Sequence, residues 1–223
     1  MTQPTVLVLA KSPTAGRVKT RLCPPCTPLQ AAALAEAALH DTLAAVVCTP
    51  NVRRVAVLDG PPGPWLPSAF DVVPQVHGGL ARRLAGAFRH VDGPALLIGM
   101  DTPQVTPDLL SGALERLGAP GVDAVLGGAA DGGYWAIGFA RRVRRAFDGV
   151  PMSTARTAIA QRRRLAALGL RWAELPQLRD VDVIADAHAV AATIPNSRFA
   201  CRLRVIAGAL PASPGTERAS LAG

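Results

Sequence analysis

Hydrophobic positions along the chain fall into two alternating kinds of pattern. Short, nearly unbroken apolar runs occur at Val6–Leu9, Val55–Leu58, Ala95–Ile98, Ala124–Leu126, Trp135–Phe139 and Trp172–Leu175. Such runs predict strands buried on both faces, where no polar alternate positions are needed. Between them lie stretches with apolar residues three and four apart, over 29–47, 80–90, 106–117, 154–168 and 184–194, which predict helices. Thr106-Pro107-Asp108 marks one helix start, with proline in the favoured first turn. Residues 59–70, dense in proline and glycine, predict a loop. Strands alternating with helices predict an α/β fold: a three-layer sandwich around a mostly parallel, Rossmann-like central sheet. After Pro195 the pattern fades. One domain is therefore expected over 1–194, with 195–223 a basic, partly disordered tail, loosely ordered from about Pro211.

Composition changes this picture little, except in its charges. The chain of 223 residues carries a net charge of +8, and its only lysines, Lys11 and Lys19, fall in one loop. A basic chain permits nucleic-acid binding. A single tyrosine argues against a base-stacking platform, and the clusters Arg141–Arg145 and Arg162–Arg164 fit solvated helix faces. Anionic small molecules account for the charge equally well, and a small-molecule partner is expected ahead of nucleic acid. The first residues lack a basic segment followed by a long apolar one, and no uninterrupted apolar run reaches about 18 residues. The expectation is a cytoplasmic protein without a membrane partner. Cys23-Pro24-Pro25-Cys26 has C-x-x-C spacing, but Cys48 and the scattered histidines offer no matching ligand pattern, so two incidental thiols are expected.

Candidate chemistry clusters after the first strand. Lys11, Arg17, Lys19 and Arg21 share a loop with Pro13 and Gly16. Open α/β sheets place phosphates at this position, beyond the carboxyl end of a parallel strand. The spacing matches neither a G-x-x-x-x-G-K-[ST] loop nor a G-x-G-x-x-G turn, so side-chain charge would do the holding. Asp101 follows the strand Ala95–Ile98 and precedes Pro103, which puts a carboxylate at the same edge. A carboxylate facing cations and phosphates is how a Mg2+ or Mn2+ ion is held; the alternative is a turn-forming aspartate. Asp131-Gly132-Gly133 is either a hairpin turn or a close backbone approach to a ligand with Asp131 as base. Asp180 and Asp182 form a second acidic pair before the last predicted helix, where one could be no more than its cap region.

The ordered set Lys11–Leu22, Ile98–Pro103, Asp131–Tyr134, Val150–Thr154 and Asp180–Asp182 resembles a bacterial family of glycosyltransferase-A-fold proteins. Its members are labelled glycosyltransferases, some of arsenosugar biosynthesis, and the family is related to phospholactate guanylyltransferases and molybdenum-cofactor nucleotidyltransferases. The resemblance covers about residues 5 to 194. It implies the nucleotide-diphospho-sugar transferase fold and a transferase that uses a nucleotide-activated donor and a small-molecule acceptor. It further implies that Lys11, Lys19 and Arg21 hold phosphates, beside which the loop's charge places Arg17, that Asp101 ligates a divalent cation, and that Asp180 or Asp182 holds a second metal. Gly132, Gly133, Tyr134, Ser153 and Thr154 would face the acceptor, and Asp101, Lys19 and Asp131 would carry catalysis. Glycosyl transfer stands first, nucleotidyl transfer second, and a non-catalytic nucleotide- or nucleic-acid-binding module third. The chain departs from the family at Gly79 and Arg82, where acids are usual, at Met152 in place of tryptophan, and at Val183-Ile184 in place of Thr-Pro.

Overall fold

The strands form because β-branched and leucine-rich runs lie between two helical layers that cover both their faces. The computed structural model describes residues 3–209. Seven strands make one sheet: β1 (Thr5–Lys11), β2 (Arg53–Asp59), β3 (Asp71–Pro74), β4 (Ala95–Ile98), β5 (Ala124–Ala129), β6 (Tyr134–Phe139) and β7 (Trp172–Leu178). Their order is β3-β2-β1-β4-β6-β5-β7. Pairing is parallel throughout except at β6, which runs antiparallel to both β4 and β5. The expected α/β sandwich with a mostly parallel sheet is the observed fold. Six strand ends consequently point to one edge.

Alternate side chains go to opposite layers, as the strand period requires. Val6, Val8, Leu96 and Ile98 pack with α1 (Pro28–Cys48) and α3 (Pro107–Gly118), whereas Leu7, Val55, Val57 and Leu97 pack with α2 (Leu80–Ala87) and α4 (Thr157–Ala167). Phe88, Phe139 and Phe147 cluster in the second layer, with ring centroids 5.0 to 6.1 Å apart. Helix α1 starts on a capping box between Thr27 and Gln30, with Pro28 in its first turn. By length and composition α1 is apolar enough to span a membrane, although its apolar residues are interrupted by Glu36, His40 and Asp41. Most of it is buried within the fold, between the sheet and a further helical layer.

That further layer differs from the expectation for residues beyond 194. Helices α5 (Ile184–Thr193) and α6 (Arg198–Ala209) lie on the outer side of α1, where Phe199, Leu203 and Ile206 pack with Leu34 and Ala38. Both carboxylate oxygens of Asp41 accept from the first backbone N–H groups of α6, Arg198 and Phe199, at 3.1 and 2.8 Å. Ser197 caps the same turn by accepting from Ala200 N–H. Residues 198–209 are thus part of the packed body; the loose order expected from Pro211 falls outside the described residues. Strand β3 is the other element absent from the sequence reading: it is a four-residue edge strand with exposed positions and no apolar run.

Phe199 is 1% exposed. Phe199→Ala should lower the free energy of unfolding by about 3–5 kcal/mol, measured by urea denaturation. A loss below about 1 kcal/mol would show that α6 is not integral to the core.

Candidate functional site

The loop after β1 turns back through Lys19, whose backbone is left-handed at φ 50°, and enters a single 3-10 turn at Thr20–Leu22. This aims the Lys19 side chain inward. Its ammonium lies 2.6 Å from Asp101 Oδ1 and 3.7 Å from Asp182 Oδ1, donates to the Val181 carbonyl, and is only 8% exposed. Arg21 holds the other oxygen of Asp182 at 3.3 Å. Val181 N–H donates to the Asp101 carbonyl at 2.9 Å, and the Gln104 amide donates to the Arg179 carbonyl at 2.7 Å. Loops following β1, β4 and β7 are in this way laced into one centre.

The four loop cations do not form one cradle. Lys19 and Arg21 face Asp101 and Asp182, whereas Lys11 and Arg17 act on Asp59 at the end of β2. The carboxyl of Asp59 is held below its usual range chiefly by its hydrogen bond from Arg83, at 2.8 Å, with Lys11 and Arg17 adding to the effect. Arg83 also donates to Gln75 Oε1, and Gln75 bridges the ends of β1 and β2 through the carbonyls of Ala10 and Val57. The Asp59–Arg83–Gln75 group escaped the sequence reading. Arg83 sits in a segment legible only as helix, and Asp59 marked only a loop boundary.

Asp180 is the most perturbed carboxylate. Burial, reinforced by Asp101 and Asp131, pushes its pKa up to about 7. Three buried side-chain oxygens among the described residues lack a hydrogen-bond partner: Asp180 Oδ1, Thr102 Oγ1 and Gln104 Oε1. All three belong to the loops after β4 and β7, and orphaned buried oxygens call for an unmet partner. Among the described residues no three His, Cys, Asp or Glu converge closely enough to hold an ion unaided. A hard cation here would take only one or two of the carboxylates Asp101, Asp180 and Asp182, with water and phosphate oxygens completing its shell. They do not form a closed protein cage.

Asp131 sits in the β5–β6 hairpin turn, with Oδ1 accepting from Gly133 N–H at 2.8 Å, so the hairpin reading of this segment holds. Gly132 has φ +88°, and a Cβ there would lie 2.1 Å from the Ala155 carbonyl oxygen. Its own carbonyl accepts from Ala158 N–H at 2.9 Å, which docks the first turn of α4 on the hairpin. Beside this junction is a cleft of about 280 Å³ lined by Gly128, Gly132, Gly133, Arg162, Glu174 and Gln177. Arg162 grips Glu174 through two bonds of 2.7 and 2.9 Å, and Trp172 donates to the same carboxylate. The Arg162 hydrogen bond, followed by that of Trp172, keeps Glu174 below the usual carboxylate range. Arg162 is therefore a cleft residue, not part of a purely solvated basic face.

Of the five residues expected to face an acceptor, Gly132 and Gly133 line this cleft. Ser153 and Thr154 form the turn leading to Ala155 at its rim, with Ser153 left-handed at φ 58°. Tyr134 points elsewhere: its hydroxyl lies beneath α4, 3.5 Å from Gln161 Oε1 and 3.8 Å from Met152 Sδ, where burial pushes its pKa up. Gly79, one of the departing positions, begins α2 without a side-chain cap. Cys23 and Cys26 are free thiols packed into the α1–α5–α6 layer, and burial followed by the neighbouring Cys23 raises Cys26.

The sequence profile of a bacterial family described as uncharacterized protein conserved in bacteria (DUF2064) matches residues 32–154. None of the curated proteins matches the chain. Among solved structures, a protein of Desulfovibrio desulfuricans G20, provisionally assigned as a nucleotide-diphospho-sugar transferase, superposes with a TM-score of 0.83 at 25% identity, covering 93% of this chain and 96% of its own. A mannosyltransferase from Pyrobaculum calidifontis, in complex with GDP-Man and Mn2+, gives a TM-score of 0.52 at 18% identity over 91% of this chain and 64% of its own. A cytidylyltransferase from Leptospira borgpetersenii gives 0.54 at 13% identity over 94% and 95%. The last two likenesses concern the fold alone.

Two outcomes test this geometry. Gly132→Ala should cost about 2–3 kcal/mol of stability from strain at a positive φ against a fixed carbonyl, read by urea denaturation. Asp180 has a native pKa of about 7, above its unfolded value. The native state therefore binds more protons between about pH 4 and 7, and stability should fall as pH rises through that window. Asp180→Asn should flatten the slope and be about 2–4 kcal/mol more stable than the native chain at pH 8; an unchanged pH profile would contradict the shift.

Proposed function

We propose that this chain, which belongs to the bacterial DUF2064 family, is a transferase acting on a nucleotide-activated donor, with glycosyl transfer from a nucleotide sugar to a small acceptor as its reaction. The observation that carries this reading is the charged centre of Lys19, Asp101, Asp180 and Asp182 at the carboxyl edge of the sheet. The likeness to the Desulfovibrio protein over almost the whole of both chains supports it.

Lys19 and Arg21 lie where donor phosphates would rest against the centre, and Lys11 and Arg17 extend the positive field toward the end of β2. Asp101, with Asp180 or Asp182, would hold Mg2+ or Mn2+, which when bound supplies compensation for charge developing on the departing phosphate. Asp131 is near enough to Asp180 to raise its pKa, and its chain neighbours Gly132 and Gly133 line the cleft. One of its oxygens is committed to Gly133 N–H; the other makes no hydrogen bond among the described residues and would accept the proton of an acceptor hydroxyl. The acceptor would occupy the cleft beside Gly132 and Gly133.

Nucleotidyl transfer is the second reading, favoured by the weight of cationic side chains in the loop after β1. In that reaction an acceptor phosphate attacks the α-phosphorus and pyrophosphate leaves, so Asp131 would have no proton to accept. Either reaction places the protein where a phosphate-activated donor meets a small acceptor.

A thermal-shift panel of nucleotide sugars and nucleoside triphosphates, each with and without Mn2+ or Mg2+, separates the readings. A donor bound at a hundredfold excess over its Kd should raise Tm by roughly 5–10 °C. A cation-dependent rise with a nucleotide sugar supports glycosyl transfer, and one confined to a triphosphate moves the assignment to nucleotidyl transfer. Asp101→Asn should remove the cation-dependent part of either. No rise with any nucleotide would overturn the proposal.

A further inference from the structure

The Lys19 ammonium occupies the position that a cation on Asp101 would need. It stands 2.6 Å from Asp101 Oδ1 and 3.7 Å from Asp182 Oδ1, and donates to the Val181 carbonyl. Asp101 and Val181 take the close contacts, and Asp182 at 3.7 Å adds charge from beyond hydrogen-bond reach. The surrounding chain is built to keep it there: Lys19 sits in a left-handed conformation with its own carbonyl accepting from Leu22 N–H, and Arg21 steadies Asp182. A divalent ion placed on Asp101 Oδ1 would stand beside this ammonium, and like charges repel in a partly enclosed site. With the ammonium in place, Asp180 Oδ1, Thr102 Oγ1 and Gln104 Oε1, in the loops after β4 and β7, have no hydrogen-bond partner.

We propose that Lys19 is the resident counter-cation of this centre, and that the donor enters as a preformed complex of nucleotide and divalent cation. Arrival of that complex exchanges one positive charge for another at Asp101, and the released ammonium passes to the incoming phosphate. Without nucleotide the ammonium has no alternative anion, so the free protein resists free cation. Cation and phosphate therefore bind as a coupled pair, by differential interaction with two positions of one side chain. This inference rests on the proposed function, since it assumes the carboxylate centre accepts a divalent ion.

The test is Mn2+ binding to the nucleotide-free protein, read from the electron paramagnetic resonance signal of free Mn2+. Native protein, Lys19→Met, Lys19→Arg and Asp101→Asn are compared, with circular dichroism confirming the fold of each. Lys19→Met should bind Mn2+ roughly tenfold or more tightly than the native chain, the factor expected from removing one charge-assisted bond. Lys19→Arg should stay weak, and Asp101→Asn should lose binding. Equal or weaker binding by Lys19→Met, beside measurable binding by the native chain, overturns the counter-cation role and leaves the proposed function standing. No Mn2+ binding by any form, with or without nucleotide, overturns both. The native chain supplies an independent readout because Lys11, exposed, and Lys19, enclosed, are its only lysines. Saturating Mn2+ alone should raise acylation of Lys19 relative to Lys11 severalfold by mass spectrometry, and an unchanged ratio refutes displacement even if Lys19→Met fails to fold.

Discussion

One buried ammonium ties the functional edge of this protein together. Lys19 joins segments that are distant in the chain, the loops after β1, β4 and β7, and its partners Asp101 and Val181 are themselves bonded to each other. Strands β4 and β7 are not neighbours in the sheet; β6 and β5 lie between them. The return of the β7 loop toward Asp101 is therefore not dictated by strand pairing. It depends on polar lacing, of which Lys19 is the charged member. Removing a group that compensates two carboxylates in a partly enclosed site costs more than removing a surface ion pair, because the acids are left facing one another.

The same compression of charge explains why stability and chemistry pull in opposite directions here. Asp180 is pushed up to about 7 by burial and by its acidic neighbours, and its Oδ1 goes unpaired, as do Thr102 Oγ1 and Gln104 Oε1 in the loop after β4. A fold selected for stability alone would fill such a site with apolar side chains or complete its hydrogen bonds. Concentrated, under-satisfied oxygen is useful where a cation and its phosphates arrive together. The cost is borne by the large apolar layers on either face of the sheet, where the Phe88–Phe139–Phe147 cluster and the α1–α5–α6 layer are well packed.

Much of this arrangement was legible in the sequence, and the illegible parts have physical causes. The buried strands announced themselves because strands covered on both faces are nearly all apolar, and Asp101 could be placed at the sheet edge from the strand that precedes it. Strand β3 could not be found this way: it is a four-residue edge strand with no fully buried position, whereas β7, at the other edge, is longer and carries the run Trp172–Leu175. Helix α6 did carry one, Phe199, Ala200, Leu203 and Ile206 after the cap Ser197, but interleaved arginines made the segment look like a solvated tail. The division of the loop cations between Asp59 and Asp101 depends on contacts 40 to 80 residues away, which no local pattern encodes. Tyr134 was misplaced for a related reason. The family motif Asp131–Tyr134 grouped it with the glycines of the turn, whereas its position at the start of β6 puts the hydroxyl beside Gln161 of α4.

The donor side and the acceptor side differ in how tightly the fold constrains them. On the donor side the proposed reading relies on charge at the convergent ends of parallel strands, where open α/β sheets place phosphates. The cleft beside Gly132 is built from β5, the β5–β6 turn, β7 and the start of α4. Its charged pair, Arg162 and Glu174, is already mutually satisfied, with Trp172 completing the carboxylate's shell. A phosphorylated acceptor would have to draw Arg162 away from Glu174 and strand an ionised carboxylate in the wall. A hydroxyl-bearing acceptor requires no such rearrangement, because the glycine backbone and the Gln177 amide offer neutral partners. This asymmetry is why the cationic loop alone does not decide the reaction, and why glycosyl transfer stands ahead of nucleotidyl transfer for this chain.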